Sequence, residues 1–377
     1  MTLTTSWLNT AKAAWFEASG QAIIHNGNKE LARQQATHEA IRQALLFAGA
    51  SVRSVQNMVD GLLNDDRFEI RATGEVASVE LIDEIYQNDL VTITIRADIF
   101  PQENICSASD YRKNIATTYF SIKNRHHASV GNLHNIAKPI SKMIFDEFGT
   151  YSKFSYISNV EPYTFVPHPD EMAMQAMHLA EKNGAQFVLL GNIVELSVEK
   201  SDKDYMDYVT FWESKQPLRN FGLEISLVDG STGDVLLQHS FNTAGTWQFD
   251  LHEDIDPNSK RLWKSSFGQS IKKVVEELAL KVDDTISCLP SYGRVLEVRN
   301  NQIATNIGSL QGVQRGDELQ VFQMRQFYTP SGMPHYQYDI HPAKMIVANV
   351  YPNSAILRTT DGTPMLNIQP NDFVVRR

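Results

Sequence analysis

The sequence has no apolar run approaching the roughly 18–20 residues of a membrane-spanning helix. It also has no basic excess. Thirty-four Lys and Arg stand against 44 Asp and Glu, a net charge of −10, with no basic patch. That argues against nucleic acid or an anionic membrane surface as the main partner. Cysteine is scarce: Cys106 and Cys288 are the only two, which suits a reducing or an oxidising compartment equally. The motifs of common chemistries are missing. There is no Gly-x-Ser-x-Gly elbow, no His-Glu-x-x-His, no Cys-x-x-Cys and no Gly-x-Gly-x-x-Gly. What the chain does have is 42% hydrophobic and 21% charged residues, enough for real cores and unlike a disordered chain. Its 377 residues suggest two or three domains.

The few candidate sites read better as structure. Asp229-Gly230-Ser231-Thr232-Gly233-Asp234 lacks the Gly-Lys-[Ser/Thr] ending that cradles phosphate, and it lies between two strands rather than before a helix. A hairpin turn is the expectation. His126, His127 and His134 have no carboxylate or cysteine at ligand spacing, so they read as a solvated or capped helix start rather than a metal site. Asp202, Asp204 and Asp207 lack the sixth-position glycine and terminal glutamate of a calcium loop. Asp65-Asp66 and Glu276-Glu277 are adjacent, and adjacent helical residues point apart, so neither makes an acid/base dyad. No cofactor or metal is expected, and no catalytic residue is assigned.

The most telling stretch is Ala14 to Val52. Trp15 to Ile24 has strand composition, and Asn26-Gly27-Asn28 turns the chain. Ala32, Ala36, Ala40, Ala44 and Ala48 then recur every fourth residue, with Ile41 and Leu45 beside them. The pattern predicts a helix with a small, close-packing face that ends at Gly49. A short helix over Val52 to Leu63 and strands at 68–72, 76–86 and 90–97 complete a β-α-α-β-β-β unit, helices on one face of a mostly antiparallel sheet.

A second unit runs from Tyr111. It contains strands at 115–122, 151–160, 185–198, 220–228 and 235–243, a helical segment through 130–144 that Pro139 should kink or divide, a helix over 172–180 stopped by Asn183-Gly184, and a closing helix from Leu262 to Val282. Cys288-Leu289-Pro290 marks a boundary. Beyond it, short strands and glycine turns predict a small, self-contained β-barrel, with 330–342 as its long surface loop. The expected divisions are a start at 1–13, an N-terminal α+β domain at 14–110, a middle α/β domain at 111–288 and the barrel at 289–377.

The start, Met1 to Ala13, ends in Ala11-Lys12-Ala13, which fits a signal-peptidase site, yet it lacks a basic n-region and an apolar h-region. By itself it reads equally as a disordered cytoplasmic start or as the tail of a leader.

Trp15-Phe16-Glu17-Ala18-Ser19-Gly20, followed by Ala32-Arg33 and the alanine-rich helix, resembles the start of the flagellar assembly protein T family. Gly184-Ala185-Gln186-Phe187-Val188-Leu189-Leu190-Gly191 and Leu227-Val228-Asp229 with Thr232-Gly233 resemble the N-terminal domain of TolB, and Ile307-Gly308-Ser309, Gly312-Val313 and Arg315-Gly316-Asp317 are similar to the family's C-terminal domain. The resemblance implies a non-enzymatic periplasmic protein of the polar flagellar motor. Such a protein builds the H ring around the LP ring and supports the T ring of MotX and MotY, which holds the stator. Its partners would be those basal-body ring proteins and copies of itself, with no nucleic acid and no membrane-spanning segment. The alternative is a soluble TolB-like envelope adaptor or binding protein outside the flagellum. On the family reading the start is truncated, the mature chain beginning near Ala14. A periplasmic location would permit a Cys106–Cys288 disulfide, the other reading being two thiols behaving as small apolar side chains.

Overall fold

The computed structural model describes residues 14–24, 27–47, 62, 67–69, 76–87, 89–99, 111–165, 171–199, 216–328, 334–360, 365 and 367–376. Its contacts group the chain into two compact units. Met1–Tyr111 with Cys288–Arg377 form one, and Arg112–Ser287 form the other.

The first unit is built on one ten-stranded sheet. Strand β1 (Ala14–Ile23) is followed by helix α1 (Lys29–Phe47), then β2 (Arg67–Glu69), β3 (Val76–Gln87) and β4 (Leu90–Ile99). β1 pairs antiparallel with β4 along its whole length, from Ala14 opposite Ile99 to Ile23 opposite Leu90. Strict alternation in β4 turns Val91, Ile93, Ile95 and Ala97 to the core, where they are buried, and leaves Thr92, Thr94 and Arg96 on the other face. The alanine stripe of α1 seals that core. Ala32, Ala36, Ala40 and Ala44 are all buried beside Ile41 and Leu45. Small side chains let the helix come down until its backbone touches the sheet at Gly20, where an added Cβ would lie 2.0 Å from the Ala36 carbonyl oxygen. Ala48, Gly49 and all of the expected second helix except Leu62 lie outside the described residues. Leu62 is helical and buried in the same core.

The barrel comprises β10 (Tyr292–Arg299), β11 (Gln302–Thr305), β12 (Glu318–Tyr328), β13 (Pro334–Val350), β14 (Ala355–Thr359) and β15 (Phe373–Arg376). The order β12-β15-β10-β11-β14-β13 closes through a β12–β13 pairing into a six-stranded ring. Its interior holds Val295, Ile303, Leu319, Val321, Met345 and Val347. Tyr111 joins them, its hydroxyl donating to Asp317 at 2.5 Å while Arg376 lies over its ring. The expectation of a surface loop at 330–342 is corrected. β13 already begins at Pro334 and pairs with β12 from Tyr328 back to Glu318. Tyr336, Tyr338 and Ile340 supply the alternating β-formers, and Pro342 lies where the register slips between Gln320 and Phe322, a bulge that needs no ladder N–H.

That barrel is not self-contained. β1 pairs parallel with β13, Trp15 opposite Gln337 through Ala18 opposite Ile340. Phe16 stacks on Tyr338 and Phe322 stacks on Phe373, at centroid separations of 5.2 Å in both pairs. Phe322, Ile340, Phe373 and Val375 therefore share one core with α1 and β4. A buried amide pair spans the same junction, with Gln320 donating to the Gln43 carbonyl at 3.1 Å.

The second unit is a five-stranded mixed sheet in the order β6-β5-β7-β8-β9. It comprises β5 (Lys113–Ile122), α2 (Ala137–Tyr151), β6 (Ser155–Phe165), α3 (Met172–Asn183), β7 (Phe187–Glu195), β8 (Leu218–Asp229), β9 (Val235–Thr246), α4 (Lys260–Lys264) and α5 (Ser266–Ile286). β6 and β7 flank β5 in parallel, and β8 and β9 continue as an antiparallel hairpin. The turn of that hairpin is fixed as its sequence requires. Asp229 Oδ1 accepts from the Ser231 N–H and hydroxyl at 2.8 and 2.6 Å, and Gly233 takes φ +75°. Gly184 caps α3 in the left-handed region.

Two helix expectations change. Pro139 neither kinks nor divides its helix. It is the third residue of α2, in the first turn, where a missing N–H costs nothing. The break comes earlier, at Gly131 and Asn132, both at positive φ. The closing helix is cut into α4 and α5 at Ser265, whose extended backbone and hydroxyl cap Gly268 N–H.

Candidate functional site

An α/β sheet offers its default ligand site outside the carboxyl ends of the strands, where successive crossovers leave the first strand in opposite directions. Here that point lies at the end of β5. The chain runs from β5 through α2 to β6 on one side, and from β6 through α3 to β7 on the other. The crevice is occupied by the protein itself. Near the end of β5 the Ser121 hydroxyl lies 2.5 Å from Asn192 Oδ1 of β7, and Lys123 N–H donates to the Ile193 carbonyl. Asn124 then caps a 3-10 turn, Arg125–Ala128. His127 in that turn is hydrogen-bonded at one ring nitrogen and lies beside a carboxylate at the other. Nε2 lies 2.8 Å from Asn124 Nδ2, and Nδ1 lies 3.1 Å from Glu195 Oε1 at the end of β7. Burial opposes ionisation of Glu195, but hydrogen bonds from Ser197 and the neighbouring His127 hold its carboxyl below the usual range.

Arg219 of β8 locks the plug in place. Its side chain is fully buried. Nε donates to the Leu196 carbonyl at 3.1 Å, one terminal nitrogen to Val130 at 2.9 Å and the other to His127 at 3.0 Å. The guanidinium lies 4.3 Å from the Trp247 ring centroid and 5.2 Å from that of Phe267. Three carbonyl dipoles and two ring faces thus surround a charge that burial pushes down to about 10, still far above neutrality. The neighbouring turn must be tight, because a Cβ at Gly131 would lie 2.8 Å from the Trp247 ring. Arg219 and Asn124 spend their donors and acceptors on holding chain to chain, whereas His127 Nδ1 and the Trp247 indole nitrogen are buried without a hydrogen bond. The arrangement positions backbone, and it has no nucleophile–base pair.

A second buried charge lies at the other end of β5. Lys113 Nζ donates to the Ser287 carbonyl at 3.0 Å, and burial pushes its pKa down to about 8 with Asp283 pulling the other way. Asp283 itself accepts from the Lys153 and Phe154 N–H groups and from the Ser155 hydroxyl. Sequence reasoning missed Arg219 and Lys113. Each stands at the polar flank of an apolar strand, a position that looks solvated until the sheet's partners are known.

Three consecutive stretches match known domains. Residues 14–101 match the N-terminal domain of flagellar assembly protein T, residues 104–257 its middle domain and residues 300–376 its C-terminal domain. This chain belongs to the flagellar assembly protein T family. As a member it is a flagellar assembly protein of a structural family rather than an enzyme family, associated with the flagellar basal body. No curated protein matches it. Among solved structures, the hypothetical protein CT253 from Chlamydia trachomatis is 13% identical, covering 46% of this chain and 98% of that one at a TM-score of 0.33. The PelC dodecamer from Paraburkholderia phytofirmans is 12% identical over 50% and 94%, at a TM-score of 0.28. Lipoprotein GNA1162 from Neisseria meningitidis is 15% identical over 45% and 99%, at a TM-score of 0.24.

His126 and His127 share the 3-10 turn, and His134 lies in the turn after it. Among the described residues no group of three His, Cys, Asp or Glu could hold a metal. Glu276 approaches Lys272, one helical turn earlier on α5. Asp65, Asp66, Asp202, Asp204, Asp207 and Cys106 lie outside the described residues. Among the described residues no cysteine stands free, so Cys288 is not a lone thiol. No helix among them is long and apolar enough to cross a membrane.

Proposed function

We propose that this protein is a periplasmic, non-enzymatic component of the flagellar H ring. It surrounds the basal body beside the LP ring, meets further copies of itself, and supports assembly of the T ring of MotX and MotY and of the stator. The observation that carries the reading is the full set of three family domains in order. The plugged crevice at β5 supports it, since buried polar groups there bind backbone together instead of presenting chemistry. We further propose the divisions 14–110, 111–288 and 289–377 as its domains, and a Cys106–Cys288 bond as a brace that an oxidising compartment would allow. The test is a clean gene deletion with imaging of basal bodies. The outer ring should vanish and motility or flagellation should fall. Intact, ring-bearing basal bodies in the deletion strain would refute the role.

A further inference from the structure

The plug at the end of β5 closes one face of the switch point, but the α3 side is open. There a cavity of about 480 Å³ lies between α3 and the sheet. Its walls are Phe165, the last residue of β6, Leu190 of β7 and Leu179 of α3. Tyr163 and Met174 stand at the mouth, 44% and 67% exposed, so apolar surface is left in water where an occupant would cover it. Thr118 of β5, with Gln175 and His178 about one turn apart on α3, supplies the polar groups. Gln175 commits its amide nitrogen to Glu171 at 2.8 Å and keeps its carbonyl oxygen as an acceptor. His178 is exposed and can donate or accept according to tautomer.

We propose that this cavity is a binding site for one small, uncharged, mainly apolar molecule carrying a single hydrogen-bonding group. The volume falls within the range of small-molecule sites and would hold about 16 water-sized groups. Among the described residues no Lys, Arg, Asp or Glu lines it, and a lining of this kind favours an uncharged ligand. Of the described charges beside it, Glu171 accepts from Gln175 at 2.8 Å, and Lys182 pairs with Glu161 at 3.0 Å beside Tyr163. The position agrees with the topology, because Phe165 places the site at a carboxyl end of the parallel strands. Met174 can repack around ligands of different shape.

The test uses the full chain and the neutral fluorophore N-phenyl-1-naphthylamine, an apolar body with one N–H. Fluorescence enhancement should saturate at one probe per chain. Met174→Glu places a charge at the exposed mouth without touching the core, and it should weaken binding at least tenfold with unchanged circular dichroism. Gln175→Trp, which fills the cavity, should abolish binding. Leu280→Ala, an exposed residue of α5 away from the cavity, should leave it unchanged. Non-saturating enhancement, or equal affinity in wild type, Met174→Glu and Gln175→Trp, would overturn the proposal.

Discussion

Gly20→Ala is the smallest change that tests how the first domain is packed. The new methyl carbon would lie 2.0 Å from the Ala36 carbonyl oxygen and 2.5 Å from the Ala40 nitrogen. Ordinary contact begins near 3.4 Å, and both obstructing atoms belong to helix backbone, so no side chain can rotate away. The helix must lift by more than an ångström, or β1 must bend. β1 is pinned on both edges, by β4 and by β13, so the helix is the element that yields. Lifting it uncovers Ala36, Ala40 and Ala44, each fully buried, and opens a gap over Ile93 and Ile95. Overpacking of this kind costs about 1–3 kcal/mol and more where the backbone itself obstructs. We expect the upper end, about 3 kcal/mol, which at about 1.4 kcal/mol per decade is roughly a 150-fold loss in folding equilibrium. The assay is urea unfolding followed by circular dichroism, with Gln21→Ala on the exposed side of the same strand as control. The two compact units call for fitting the first-unit transition separately. Equal midpoints for the two variants would refute the close-packing argument.

Three further outcomes follow from the structure. Lys113 has a folded pKa of about 8 against an ordinary 10.5, so between those values the unfolded chain binds more protons and stability rises with pH. Lys113→Met should remove that rise, about 2 kcal/mol between pH 7.5 and pH 9.5, as read from denaturation at the two values, and an unchanged pH slope would count against the buried ammonium. If Cys106 and Cys288 are bonded, mass spectrometry without reductant finds no free thiol, and reduction lowers stability by about 2–5 kcal/mol, whereas two free thiols in the exported protein would end the idea. A fragment of residues 289–377 should show strand structure yet self-associate, because Phe322, Ile340, Phe373 and Val375 lose their cover, and a monodisperse fragment in sedimentation would contradict the shared core.

Where periodicity was strong, the sequence spoke clearly. The alanine repeat, the alternation of β4 and the Asp-Gly-Ser-Thr-Gly turn each depend on neighbours within a few residues, so local pattern sufficed. Pro139 misled because proline is tolerated in the first turn and disruptive later, and sequence alone did not locate that turn. The run 334–342 misled because its prolines and aromatic residues resemble turn composition, while its pairing partner lies across a long hairpin. The sharing of one core by the first domain and the barrel was not legible at all. Phe16 and Tyr338 are 322 residues apart, and no local signal announces such a contact. The candidate site was half legible. From sequence His126 and His127 read as a solvated or capped helix start, and the clamp on their turn, Arg219, sits 92 residues from His127 and is recognised only by the three carbonyls it meets.

The parallel pairing of β1 with β13 has a consequence in time. During synthesis β1 can form its ladder with β4 early, since those strands are separated by fewer than a hundred residues. Its other edge, Trp15 to Ala18, must then wait for Gln337 to Ile340. At about 5–20 residues per second, that edge stays open on the order of tens of seconds, long enough for a nascent chain to pair wrongly with a neighbour. Over the same interval Arg112–Ser287 can emerge and fold whole, because it lies uninterrupted between the two halves of the first unit. The first unit is thus completed only after the second has emerged, when the last strands cover the edge that the first one leaves open.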